Sequence, residues 1–138
     1  MAQAYAEISY MRTYLLDTNV LVRFLVRDES AQYNLAAGWF AEAEGGRRSI
    51  SIPGLVIAES VYVLERIYKK SFTEIAEAMQ GVISQRWLRV QERETMALAL
   101  RFYEQGTHFV DAYLLAAQRL LDCGILTFDK KLAKQSLK

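Results

Sequence analysis

Four acidic side chains of this sequence stand among apolar residues, where a carboxylate is costly unless it has a partner. They are Asp17, Glu59, Asp111 and Asp129, in the contexts YLLDTNVLV, LVIAESVYVL, HFVDAYLLAA and ILTFDKKL. Carboxylate oxygens bind hard divalent cations, and an acidic, cysteine-poor set favours Mg²⁺ or Mn²⁺. We therefore expect the four carboxylates to be buried around a shared cation and to support metal-assisted chemistry on phosphates.

Each acid also has a purely structural interpretation. Asp17 and Asp129 follow apolar runs and precede helix-like segments, where Asp is a common N-cap. Asp111 lies near the start of its helix, where the macrodipole favours a carboxylate. Glu59 is a full turn past Pro53, so capping does not explain it, and its alternative is a buried ion pair or a hydrogen bond to Tyr. All four alternatives would have to hold together, so convergence on one site is the more economical interpretation.

The helix that carries Glu59 is rich in apolar and aromatic residues. Its spacing predicts an apolar stripe on which Glu59 is flanked by Leu55 and Tyr62. The same stretch, with Tyr62 and Ile67, favours two alternatives: a surface for a second copy or a partner protein, or ordinary core packing. The sequence leaves both open.

Polar and basic residues flank the acids. Asn19 follows Asp17 by two positions and Thr127 precedes Asp129 by two, so both could orient a ligand or a water through hydrogen bonds. The alternatives are polarity in a first helical turn for Asn19 and strand propensity for Thr127. The basic residues near the motifs could contact RNA phosphates or be ordinary solvated charge; they are Arg23, Arg27, Lys130, Lys131 and Lys134.

Short strands alternate with helices along the chain, which predicts an α/β domain whose short, mostly parallel sheet is flanked by helices. We predict an extension without periodicity at residues 1–11 and a single domain at 12–138. The predicted strands are Thr13–Leu16, Ser49–Ile52, Trp87–Val90 and Cys123–Phe128. The predicted helices begin at Asp17-Thr18, Ser30, Pro53, Ser71, Glu92, Phe109 and Asp129, and Ser71 with Glu74 predicts a capping box.

Composition narrows the class of protein. The chain has 138 residues, a formal net charge of +1 and one cysteine, Cys123, which excludes an internal disulfide and fits a reducing cytoplasm. The N-terminus has neither a basic n-region nor an apolar h-region, so we expect no signal peptide. Without the four acids, seventeen basic residues stand against twelve acidic ones, a mildly basic balance that suits a nucleic-acid enzyme.

Several other enzyme mechanisms need residues that this sequence lacks. His108 is the single histidine, so acid–base catalysis by two histidines is excluded, and no GxxxxGK loop is present. A phosphatase of the haloacid-dehalogenase type would need an acid where Asn19 stands. A domain that binds RNA or a partner without cleaving it remains an alternative. A metal-dependent assay on RNA and on a phosphomonoester separates these possibilities.

The motifs LLDTNVLV at 15–22, AES at 58–60, FVDAYLLAAQ at 109–118 and TFDKKL at 127–132 resemble those of the PIN-domain nucleases, and among them the VapC-type toxins of toxin–antitoxin pairs. The resemblance covers about residues 12–135. It implies a Rossmann-like three-layer fold and an Mg²⁺- or Mn²⁺-dependent endoribonuclease of the cytoplasm. It further implies a homodimer held inactive by a cognate antitoxin.

By the same resemblance, Asp17, Glu59, Asp111 and Asp129 are the metal-binding and catalytic residues, and Asn19 and Thr127 support them. A PIN nuclease that processes RNA outside a toxin system remains an alternative. The chain ends soon after Asp129 and so departs from relatives that add a final edge strand.

Overall fold

The computed structural model describes residues 12–136 and divides the chain into two compact units. Within the described residues the first unit contains 12–60 and 85–91, and the second contains 61–84 and 92–136. The strands are β1 (Thr13–Leu15), β2 (Ser49–Ile52) and β3 (Arg89–Val90). The helices are α1 (Thr18–Val26), α2 (Ser30–Glu44), α3 (Gly54–Arg66), α4 (Phe72–Ile83), α5 (Arg93–Glu104), α6 (Phe109–Leu121) and α7 (Lys130–Ser136).

The first unit is built on a parallel sheet in the order β1-β2-β3. Thr13 pairs with Ser49 and Leu15 with Ser51, while Ile52 pairs with Val90. A further hydrogen bond, 2.9 Å long, runs from the Leu16 amide to the Ser51 carbonyl. It extends the pairing one residue beyond the end of β1. The carboxyl ends of β1 and β2 therefore lie at one edge of the sheet, where α1 and α3 begin.

The core of the first unit joins the sheet to the apolar faces of its helices. Its buried residues are Leu16, Leu21, Val22, Ala36, Phe40, Ala43, Ile50, Ile52, Ile57 and Leu88. Phe40 of α2 contacts both Phe24 and Trp87, with ring centroids 4.5 and 6.1 Å apart. These edge-on contacts pack α1 and α2 together and leave their remaining faces outside the core.

The second unit is helical, and its core is made by α4, α5 and α6 with the end of α3. Ser71 and Glu74 form the predicted capping box at the start of α4. Tyr103 is buried and donates a 2.7 Å hydrogen bond to Oε1 of Glu65. Desolvation, and then this bond, raise the pKa of Tyr103, so the phenol stays protonated at neutral pH.

The predicted α/β class with a short parallel sheet is confirmed, and most element bounds agree within two residues. The predicted strand Cys123–Phe128 is wrong. This segment pairs with no strand among the described residues, and the side chains of Leu126 and Phe128 are fully exposed. Its apolar, β-prone composition satisfies the sequence criterion for a strand, but a strand also needs a partner for its backbone hydrogen bonds.

The proposed extension at residues 1–11 lies outside the described residues, and the single-domain assignment stays a prediction. Over residues 12–136, no helix combines the length and the apolar character needed to cross a membrane.

Candidate functional site

Asp17 stands at the junction between β1 and α1. Its backbone is extended, with φ −83° and ψ 149°, and its Oδ2 accepts a 3.3 Å hydrogen bond from the Asn19 amide. The residue is therefore the N-cap of α1, as the structural interpretation expected. Its side chain is nevertheless exposed, so capping one amide leaves carboxylate lone pairs open to a ligand.

Glu59 lies on the exposed side of α3. The predicted stripe with Leu55 and Tyr62 exists along the helix, but these two apolar residues are exposed as well. The helix buries a neighbouring stripe instead, formed by Ile57, Val61 and Leu64. A helix with apolar residues on two adjacent sides can bury either one, which is why the pattern around Glu59 did not predict burial.

Asp111 and Asp129 belong to the second unit. Asp111 lies in the first turn of α6 and is half-buried, and no described residue shares a hydrogen bond with its side chain. Asp129 is exposed, and its Oδ1 accepts a 2.9 Å hydrogen bond from the Leu132 amide at the start of α7. Oγ1 of Thr127 in turn accepts a 3.0 Å bond from the Asp129 amide. Thr127 thus holds the backbone of Asp129.

The sequence predicts that all four acids are buried, and this prediction is wrong. Three of them are exposed and one is half-buried. Their backbones sit at strand ends and in early helical turns, where neighbours leave the side-chain oxygens in solvent. Among residues 12–136, no three His, Cys, Asp or Glu side chains form a group that could hold a metal ion. The donor chemistry, four carboxylates without sulfur or imidazole, fits a hard divalent cation.

Tyr113 lies one half-turn beyond Asp111 on α6. It donates a 2.6 Å hydrogen bond to Oε1 of Glu92, and this bond, followed by desolvation, raises the pKa of Tyr113. The phenol stays protonated at neutral pH and is not a general base. His108 is the N-cap residue of α6, and its side chain makes no capping hydrogen bond.

Four of the five basic residues near the motifs differ in what surrounds them. Nη1 of Arg23 contacts both carboxylate oxygens of Asp28, at 3.0 and 2.8 Å. Arg27 ends α1 in a left-handed conformation, with its guanidinium 4.9 Å from the Tyr33 ring centre. Lys130 and Lys131 are exposed in the first turn of α7, where the helix dipole disfavours cations.

The sequence analysis missed a hollow between α1 and α2 that lies wholly within the first unit. It encloses about 230 Å³ and is lined by Asn19, Val20, Arg23, Gln32, Leu35 and Trp39. The signal was present in α2, where Gln32, Leu35 and Trp39 recur at intervals of three and four. This spacing places the three residues on one face of α2, but nothing in the sequence indicates that α1 lies beside that face.

The family model of the PIN domain matches residues 14–137. A VapC ribonuclease of Aquifex aeolicus (strain VF5) is 26% identical over 126 residues, which is 90% of this chain and 93% of that protein. No solved structure matches significantly.

Proposed function

The chain belongs to the PIN-domain family, and on that premise we propose that it is a metal-dependent endoribonuclease that hydrolyses RNA phosphodiester bonds. The observation that carries the proposal is the family match over residues 14–137, a span that includes every candidate acid. The similarity to a protein named VapC ribonuclease supports RNA as the substrate.

We assign Asp17, Glu59, Asp111 and Asp129 as the ligands of Mg²⁺ or Mn²⁺. When bound, such a cation makes water more acidic and neutralises charge on a scissile phosphate. Because that chemistry needs no protein nucleophile, the lack of a serine or histidine constellation is no obstacle. The exposed carboxylate oxygens and their all-oxygen chemistry support this assignment.

The supporting residues act on the acids and on the RNA. The Thr127 hydroxyl holds the Asp129 amide, and the Asn19 amide nitrogen of the backbone holds Asp17. Lys130 and Lys131 tolerate the unfavourable end of a helix dipole, a cost that phosphate binding would offset. Arg23 of α1 and Arg27, the residue that ends α1, would contact RNA phosphates in the same way.

The test is cleavage of end-labelled single-stranded RNA with Mg²⁺, with Mn²⁺ and with a chelator. Cleavage should require the cation. Asp17→Asn and Asp111→Asn should each slow it by about 100-fold or more, as when one electrostatic contact in a reaction centre is lost. Asp122→Asn, at an exposed left-handed position that suits Asn, is the matched control and should cleave normally.

A second pair of variants completes the acid set. Glu59→Gln should abolish cleavage, whereas Glu77→Gln, an exposed glutamate of α4, should not. Normal cleavage by folded Asp17→Asn or Glu59→Gln would remove the site assignment. Hydrolysis of a phosphomonoester but not of RNA would favour the phosphatase alternative.

We further propose that the enzyme is the toxin of a toxin–antitoxin pair, acts in the cytoplasm and forms a homodimer. The name of the Aquifex protein and the single cysteine support the first two statements. The exposed apolar residues Leu55 and Tyr62 of α3, with Ile67 directly after the helix, support a surface for a second copy or for the antitoxin. Expression of the chain should arrest growth, Asp17→Asn should not, and co-expression of an adjacent small DNA-binding protein should restore growth.

A further inference from the structure

The α1–α2 hollow has a composition that differs from the apolar core beneath it. Val20, Leu35 and Trp39 form apolar walls, and Trp39 remains 37% exposed. Phe40, the next residue, contacts two aromatic rings, whereas the Trp39 ring stacks on no described aromatic residue. An indole face open to a concave surface is suited to stacking with a planar ligand.

Polar groups converge on the same hollow. Asn19 and Gln32 line it, and neither side-chain amide makes a hydrogen bond to another described side chain or backbone group. Each amide presents both a donor and an acceptor, the pattern that recognises the edge of an unpaired base. Arg23, whose guanidinium is paired with Asp28, forms part of the wall.

The hollow begins two residues after Asp17, the proposed catalytic residue of the same unit. Asn19 lines it, and the Asn19 backbone amide donates a hydrogen bond to Oδ2 of Asp17. A base held between α1 and α2 would therefore bring its own sugar and phosphate to the end of α1 where Asp17 lies. The volume, about 230 Å³, suits one planar group better than a drug-sized ligand, for which pockets of roughly 300 Å³ or more are usual.

We propose that the α1–α2 hollow binds one unpaired base of single-stranded RNA, stacked on Trp39 and contacted at its edge by Asn19 and Gln32. The proposal rests on the ribonuclease function proposed above and names how that substrate is held. An apolar protein segment would fill the walls but would leave the two side-chain amides without matching groups.

The first experiment uses Trp39 as its own reporter. The chain has two tryptophans, so Trp87→Phe leaves Trp39 as the single indole. With a chelator present, a short 2′-O-methyl oligonucleotide should quench this fluorescence with saturation. An oligonucleotide of equal length with abasic sites should bind more weakly by roughly 5- to 150-fold, the range for loss of one base stack.

The second experiment measures steady-state cleavage. Trp39→Ala should raise KM by a factor in the same range with kcat changed less than about twofold, and Trp39→Phe should restore much of the loss. Leu35→Ala should also raise KM, whereas Leu120→Ala, an exposed leucine of α6, should not. Circular dichroism and urea unfolding would establish that each variant is folded.

The outcomes separate this inference from the proposed function. If Asp17→Asn is inactive but oligonucleotides leave Trp39 fluorescence unchanged and Trp39→Ala keeps its KM, the hollow does not bind the base. Equal quenching by the abasic oligonucleotide would also overturn the inference. So would Trp39 fluorescence that changes with the adjacent small DNA-binding protein but not with any oligonucleotide. If Asp17→Asn cleaves normally while base-dependent quenching persists, the catalytic assignment of Asp17 fails and the proposal that the hollow binds a base is retained.

Discussion

Two junctions of this protein have nearly the same local chemistry and different surroundings. At the first, β1 ends and Asp17 caps α1; at the second, the segment Ile125–Phe128 ends and Asp129 caps α7. Both caps accept hydrogen bonds from backbone amides of the following helix. Yet β1 pairs with β2, whereas Ile125–Phe128 pairs with no described strand.

The difference shows which parts of a strand–helix junction are local. A cap needs only the residues within one turn, so the same Asp produces it in both units. A strand needs a second chain segment at the right distance, and its hydrogen bonds cross between segments distant in sequence. Variants of the two junctions test that distinction.

The strands themselves should differ most in what they contribute to folding. Ile52 of β2 is fully buried, so Ile52→Ala should lower the free energy of unfolding by about 2–5 kcal/mol. Leu126 is fully exposed, so Leu126→Ala should change it by less than about 0.5 kcal/mol. Urea unfolding followed by circular dichroism measures both. A loss above 2 kcal/mol for Leu126→Ala would mean that the second segment packs as the first one does.

The two caps should contribute smaller and unequal amounts. Asp17→Ala should cost about 1 kcal/mol, because α1 carries the buried Leu21 and Val22 into the core. Asp129→Ala should lower the free energy of unfolding by only about a few tenths of a kcal/mol. α7 is short and carries one buried side chain, Leu132, so it can fray at little cost. Chemical denaturation and amide exchange at Leu132 would measure this. The Asn variants of both positions are controls and should stay near wild type, since Asn caps as well as Asp.

The capping box at Ser71 and Glu74 provides a third helix start with a pH dependence. The Ser71 backbone amide, followed by the Ser71 hydroxyl, lowers the pKa of Glu74 below its usual 4.5. Because the folded pKa is lower than the unfolded one, this contribution is present above pH 4.5 and is lost as the pH falls through the folded value.

Glu74→Gln keeps the capping geometry but removes this titration, so its stability should fall less steeply on acidification. Urea midpoints measured across the acid range would show it. Glu77→Gln on the exposed face of the same helix is the comparison, and an identical acid dependence for both variants would contradict the expectation.

Much of the secondary structure could be predicted because its determinants are local. α2 and α6 begin at the residues that the sequence predicts, and Ser71 caps α4 through the expected reciprocal bonds. Gly45 and Gly46 end α2, and Gly46 adopts the positive φ of 78° that favours glycine. The family, too, follows from short motifs whose order is visible in one dimension.

Burial was harder to predict, as Glu59 illustrates. Its helix has apolar residues on two adjacent sides, and both satisfy the periodicity that indicates a buried face. The packing of Ile57, Val61 and Leu64 left Leu55 and Tyr62 exposed. The hollow beside Trp39 is a similar case, since its walls come from two helices that the sequence does not align.

The chain alone was sufficient for its helices, its caps, its family and the identity of the candidate acids, because each of these depends on residues within a few positions of one another. Packing settled the pairing of β1, the unpaired state of Ile125–Phe128, the exposure of the acids and the α1–α2 hollow. Those features depend on surfaces contributed by distant segments, and no local pattern states which surface meets which.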